Sequence, residues 1–306
     1  SAMTELAERD PKVVAITAAL PDGAGLTQFA APYPDRFFAV GIAEEHAVTM
    51  ACGMAAGGLK PYVAIYSTFL QRAVDCVLHD AAIQHLPVRF LLDRAGVVGD
   101  DGPTHHGVFD LPMLGMIPGL AILSPRDTDD LRAAVDWAAG HESGPCAIRY
   151  PRGAGDPRLP ESRAPMVLGK GETLLDDEAP DVAFVALGSM VGPAYAAALR
   201  LRQEGVRVAV FDARWAKPLD EAAILDLAAR SRRVIFAEEG VRRGGFGVAC
   251  RDLLADRGLL VPTEIAAFPD EFVEHGPQAI LRAAHGLDEA GLLRLAKAVP
   301  LAERRG

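Results

Sequence analysis

Short apolar runs of strand length alternate with longer helical patterns along almost the whole chain, and few folds satisfy that alternation. In the first half the runs fall at residues 13–17, 37–40, 62–66, 88–93, 120–123 and 146–150. Helical patterns lie between them at 44–56, 70–84 and 127–139. A run such as Val88-Arg89-Phe90-Leu91-Leu92 does not alternate apolar with polar, so it suits a strand covered on both faces. This order predicts a mostly parallel sheet with helices on both sides. Residues 151–180 break the pattern with five prolines and mixed charge, and only 166–168 and 172–175 read there as short strands. Alternation resumes with strands at 182–187, 206–211, 234–237 and 262–266, and helices at 191–204, 220–229, 246–257, 277–284 and 288–298. Asp288 is a natural N-cap for the last helix. The expected class is α/β in two domains, residues 1–153 and 181–306, joined by a linker at 154–180.

Composition narrows the function. The 306 residues are 50% hydrophobic and 24% charged, enough apolar material for two buried cores. A formal charge of −10 without a long basic run argues against nucleic acid or anionic lipid as a partner through the overall field. No apolar stretch reaches the ~18 residues of a membrane span, and the first residues lack the pattern of a secretory signal. The four cysteines show no C-x-x-C spacing, which speaks against structural zinc and a disulfide framework. The expectation is a cytoplasmic protein.

Five segments could carry chemistry. Gly41-Ile42-Ala43-Glu44-Glu45-His46 joins a strand to a helix, at the sheet end where ligands gather. Taken alone, Glu44 and Glu45 there serve to complement the helix dipole. Tyr66-Ser67-Thr68-Phe69-Leu70-Gln71-Arg72 is a second such junction, whose aromatics alone read as core. The long loop from Asp93 and Arg94 through Asp101 to His105, His106 and Gly107 reads as functional from its length and residue types. Its adjacent histidines make a weak metal site. Arg149-Tyr150-Pro151-Arg152-Gly153 offers a guanidinium fork for a phosphate or carboxylate, or for an interdomain salt bridge. Glu238-Glu239-Gly240, with Gly244-Gly245-Phe246-Gly247, reads as a tight turn more readily than as a phosphate cradle.

Together these segments resemble the thiamine-diphosphate-dependent transketolase superfamily and, within it, the 1-deoxy-D-xylulose-5-phosphate synthase family. The resemblance rests on Gly41-Ile42-Ala43-Glu44, the run from Val63 to Arg72, Asp93-Arg94-Ala95-Gly96, Asp101-Gly102-Pro103-Thr104-His105 and Tyr150-Pro151-Arg152-Gly153. In the second half Lys217-Pro218-Leu219-Asp220-Glu221, Glu238-Glu239-Gly240 and Phe268-Pro269-Asp270-Glu271-Phe272 match as well. It implies a transferase that joins pyruvate to glyceraldehyde 3-phosphate with loss of carbon dioxide, in isoprenoid biosynthesis. It also implies two α/β domains of the pyrimidine-binding and C-terminal types. Glu44 then matches the glutamate that hydrogen-bonds N1′ of the cofactor's aminopyrimidine, and His105 a histidine that handles protons on the substrate carbonyl. Phe69 matches the aromatic stacked on the pyrimidine, with Tyr66 beside it. Arg72 matches a further cofactor-side position. Arg94 and Arg152 match the pair that holds the aldehyde's phosphate, and Asp101 a substrate-side acid.

The departures are specific. Glu45 stands where the family has glutamine, and His106 where it usually has no histidine. The family holds the diphosphate and its magnesium on another domain, through Gly-Asp-Gly followed by asparagine. This sequence has no Gly-Asp-Gly and no asparagine at all. The expectation is therefore the pyrimidine-side part, or a natural small subunit, of such an enzyme, with no metal ligand of its own. It would be inactive without a diphosphate-binding domain and would work as a homodimer or heteromer. The alternatives are the β-like subunit of another split transketolase or two-oxoacid dehydrogenase, and a binding or scaffold protein that kept the fold.

Overall fold

A computed structural model describes residues 2–19, 25–153, 155–161 and 163–298. Twelve strands are seen among them. They are β1 (Val13–Thr17), β2 (Phe37–Ala39), β3 (Lys60–Tyr66), β4 (Arg89–Asp93), β5 (Ala121–Leu123), β6 (Cys146–Tyr150), β7 (Glu172–Asp176), β8 (Val182–Ala186), β9 (Val208–Asp212), β10 (Trp215–Lys217), β11 (Val234–Val241) and β12 (Thr263–Phe268). They form a seven-stranded sheet in the order β10-β5-β6-β4-β3-β1-β2 and a five-stranded sheet in the order β12-β11-β8-β9-β7. Each sheet is parallel except for one antiparallel edge strand, β10 in the first and β7 in the second. The α/β class read from the sequence holds. The reason is visible in β1, β4, β8 and β9, whose residues are buried without exception, as strands between two helical layers must be.

Three neighbouring strands of the first sheet end together. Tyr66 pairs with Asp93, and Asp93 with Tyr150, so the carboxyl ends of β3, β4 and β6 stop level with one another. The loops that leave this edge carry most of the candidate functional residues.

The structure differs from the sequence reading in several places. The helix expected at 70–84 is a 3-10 turn (Phe69–Ala73), a short α segment (Val74–Cys76) and a π-helical turn (Val77–Ala82). Through these changes of pitch Leu70, Ala73, Val77 and Ala81 all stay buried. Within 154–180, residues 172–176 are β7, whereas 166–168 form no strand. The three-residue strand β10 crosses from the second half of the sequence into the first sheet, pairing with β5. It is too short for periodicity to reveal, and its burial of Trp215 is a tertiary effect. The helix Ala2–Arg9 was also unread; it buries Met3, Leu6 and Ala7.

Buried charge ties the two sheets together. Arg126 donates to Glu172 at 2.7 Å and to Asp212 at 3.2 Å, and Arg214 donates to Glu172 at 2.6 Å and to Asp130 at 3.3 Å. A second bridge is Arg149, which forks Asp110 at 2.8 and 3.2 Å and donates to the Glu239 carbonyl at 3.1 Å. Among the described residues no helix is long and apolar enough to cross a membrane.

Candidate active site

Glu44 opens the helix Glu44–Ala56, and the first turn of that helix carries it inward. It is 3% exposed. Its Oε1 accepts from Arg72 at 3.2 Å, while Oε2 is buried with no hydrogen-bond partner among the described residues. Buried carboxylate oxygens are rarely left so. Glu45 and His46 are exposed, so the second carboxylate faces away from the first. The helix dipole accounts for Glu45. It does not account for an acid buried as deeply as Glu44 with one oxygen unused.

The junction after β3 supplies the aromatic wall. Tyr66 and Phe69 stack with ring centroids 5.6 Å apart and planes 13° apart. Arg72 sits 5.6 Å from the Phe69 centroid, so one guanidinium links the buried carboxylate to this ring. The His105 ring meets Phe69 edge-on at 5.3 Å, and its Nδ1 lies 2.9 Å from Thr104 Oγ1. Burial pushes the Tyr66 hydroxyl above its ordinary titration range.

Arg94 has a left-handed backbone, φ 60°, an uncommon conformation for a residue with a side chain. The turn lays its guanidinium over the Tyr66 ring at 3.9 Å and against Asp93. Burial raises Asp93, and the neighbouring Arg94 opposes that rise. Arg152 is exposed and makes no side-chain hydrogen bond or ion pair among the described residues. Both arginines line a cleft of about 970 Å³ that also takes in Ser189, Gln278 and Arg282 from the second domain.

The predicted residues therefore form one run of contacts, Glu44 to Arg72 to Phe69 to Tyr66 to Arg94, with His105 on the Phe69 edge. Arg152 joins them through the cleft. Asp101 is exposed on the 96–107 loop and its side chain makes no hydrogen bond or ion pair with any of them, although its charge acts on Tyr66. The two histidines diverge. His106 is buried, accepts from the Val98 amide at Nδ1 (3.0 Å) and donates from Nε2 to the Glu274 carbonyl (3.1 Å). Among the described residues no three His, Cys, Asp or Glu side chains gather to hold a metal ion.

In the two remaining segments Arg149 and Glu238 play structural parts. Arg149 is engaged by Asp110 in an ion pair within the first domain, not the interdomain salt bridge of the sequence reading, and it reaches the second domain only through the Glu239 carbonyl. At the glycine turn, Glu238 fills the helix N-terminus itself, accepting from the Phe246 and Gly247 amides at 2.8 Å each. Burial pushes its carboxyl up to about 7, from 4.5 in an unfolded chain. As pH rises through that window the unfolded chain releases a proton that the fold retains, so stability falls with rising pH. The stability of Glu238→Gln relative to wild type is expected to rise by about 3 kcal/mol between those limits. Urea unfolding at a series of pH values measures it, and a flat difference refutes it. Sequence reasoning singled out Glu238-Glu239-Gly240 only as a tight turn, and it missed Ser189, Gln278 and Arg282; the available signal for Glu239 was a pair of acids inside an apolar strand run.

With this geometry in place, comparison with known proteins assigns the class. Residues 1–157 match the family model for the transketolase pyrimidine binding domain, and residues 171–292 that for the transketolase C-terminal domain. The chain belongs to the transketolase family. Within it, the chain is 52% identical over 292 residues to 1-deoxy-D-xylulose-5-phosphate synthase 1 of Geobacter sulfurreducens, covering 95% of this chain and 45% of that protein. The synthases of Thermomicrobium roseum and Gloeobacter violaceus are 51% and 49% identical, over 94% and 95% of this chain and 45% and 46% of theirs. The chain thus spans somewhat under half the length of these curated relatives. Among solved structures it is similar to a split gene transketolase described as an inactive β4 tetramer. That match has 28% identity and a TM-score of 0.89, covering 99% of this chain and 97% of the other.

Proposed function

We propose that the chain is the pyrimidine side of a thiamine-diphosphate-dependent 1-deoxy-D-xylulose-5-phosphate synthase. The reaction is the decarboxylating condensation of pyruvate with glyceraldehyde 3-phosphate. The observation that carries this reading is Glu44, a buried acid whose Oε2 has no partner beside an aromatic wall. That suits an aminopyrimidine, which calls for a carboxyl able to share a proton with a ring nitrogen, and a ring to stack on.

When bound, the cofactor supplies an electron sink for cleavage of the bond between the pyruvate carboxyl and carbonyl carbons. Glu44 gives and takes a proton at Oε2, while Arg72 holds Oε1 and so fixes which oxygen is free. Phe69 and Tyr66 exclude water from one side. His105 moves protons at the substrate carbonyl. Arg152, with its guanidinium unengaged, and Arg94, shared with Asp93, hold the aldehyde's phosphate by charge-assisted bonds. Asp101 completes the substrate side from the loop. Diphosphate and magnesium fall to a further domain or subunit, since the sequence lacks both Gly-Asp-Gly and asparagine. The working assembly is then a homodimer or heteromer in a reducing, cytoplasmic setting that suits four free cysteines.

A β-like subunit of another split transketolase is the second reading, favoured by the structural relative whose whole length this chain matches. Identity weighs toward the synthase, 52% against 28%. Labelled pyruvate decides between them. The chain with a diphosphate-binding domain, cofactor and magnesium is expected to release carbon dioxide and form a phosphorylated deoxy-sugar, and the chain alone to do neither. Ketol transfer from sedoheptulose phosphate, or acyl transfer to lipoamide, would overturn the substrate assignment. Turnover by the chain alone would overturn the two-part site.

A further inference from the structure

Residues 96–107 carry Asp101 and His105, yet the first domain holds them mainly at the base. There Gly96 and Gly107 exchange backbone hydrogen bonds at 2.8 and 2.7 Å. Between them lies a single 3-10 turn, Gly102–Thr104. Most other anchors come from the second domain. The Val97 carbonyl accepts from Gln278 Nε2 at 2.7 Å, the Gly99 carbonyl from the Gly276 amide at 3.3 Å, and His106 donates to Glu274.

Glu239 is the centre of this bracing. It stands in β11 and is 1% exposed. Its Oε1 accepts from the Val97 amide and from Arg282 Nε, each at 3.0 Å, and its Oε2 accepts from the Ser189 hydroxyl at 2.6 Å. The fit against the loop is close. A Cβ placed on Gly96, whose φ is +84°, would lie 2.5 Å from the Glu239 carboxyl. One buried carboxylate therefore fixes the loop where it leaves β4, and is itself fixed by donors from the second domain.

We propose that Glu239 is a positioning residue, setting from the second domain the loop that presents His105 and Asp101; this rests on the proposed synthase function. Among the described residues the Val97 amide has no other side-chain acceptor, so removal of the carboxylate frees the loop base to shift while the sheet stays intact. The His105 ring, now 5.3 Å from Phe69, shifts with it. Displacement of a catalytic group by an ångström is enough to cost about a hundredfold in rate.

The test has two arms. In the chain alone, Glu239→Ala is expected to speed amide exchange at Val97, Val98 and Gly107 by about ten- to a hundredfold, with Ile235 and Phe236 in β11 unchanged. Glu239→Gln, whose amide oxygen still accepts from Val97, is expected to restore most of the protection. In the assembled enzyme, Glu239→Ala is expected to lower kcat by a similar factor with little change in KM for pyruvate, and Gln to recover most of it. Unchanged exchange at Val97 overturns the proposal whatever the enzyme does. Faster exchange with undiminished kcat in an active enzyme overturns it as well. A wild-type assembly without turnover fails the functional reading alone, and the exchange arm still decides whether Glu239 holds the loop.

Discussion

Replacing Glu44 by glutamine is expected to lower turnover in the assembled enzyme by about 10²- to 10⁴-fold, the range that a positioned proton-transfer group contributes. Glutamine keeps the size of the side chain and an oxygen for Arg72, but it cannot cycle a proton at the position of Oε2. The effect should therefore fall on kcat, with thermal stability close to wild type. That separation matters because Glu44 is buried at a helix start, where alanine would also open a cavity. Steady-state rates of carbon dioxide release, compared with unfolding midpoints of the same preparations, measure both quantities. Undiminished turnover would remove Glu44 from the chemistry and restore the scaffold alternative.

The second large effect is on stability. Arg149→Ala is expected to destabilise the chain by about 3–5 kcal/mol, as breaking a buried ion pair from one side does. Asp110 is 1% exposed and receives both arms of the Arg149 fork, so truncation leaves an uncompensated carboxylate between the two sheets. The Glu239 carbonyl also loses a donor. A double replacement, Arg149→Met with Asp110→Leu, is expected to recover much of the loss because it removes the stranded charge. Denaturant unfolding of the three variants checks this. A loss under about 1 kcal/mol in the single variant, the size of an exposed pair, would show the bridge to be idle.

The parts legible in the sequence were those whose signal is local. Strand β4 announced itself by an unbroken apolar run, and the helix Glu44–Ala56 begins and ends where its pattern does. The contact run from Glu44 to His105 was drawn from residue types at two strand-to-helix junctions and one long loop, and the family resemblance gave those types roles. What sequence could not give was partnership across the domain boundary. Nothing in Trp215-Ala216-Lys217 says that it pairs with β5, because its partner lies some ninety residues earlier. Nothing near Glu239 says that its carboxylate will meet Val97. Arg149 and Arg152 stand three residues apart and are indistinguishable by type, yet one is sealed into the interior and the other reaches solvent. Burial, which is a property of the whole fold, separates them.

Strand β10 also bears on how such chains can be recombined. Its three residues are encoded beside the second sheet and form the outer edge of the first. A chimera joined between the two sheets would inherit its first sheet from one parent and the cover for that sheet's edge from the other. If Trp215 did not suit its new neighbour, β5 would be left with unpaired backbone along an apolar strand, open to pairing with other molecules. Crossover points in this fold are therefore constrained by a short borrowed strand as much as by the proline-rich stretch that looks, on paper, like the place to cut.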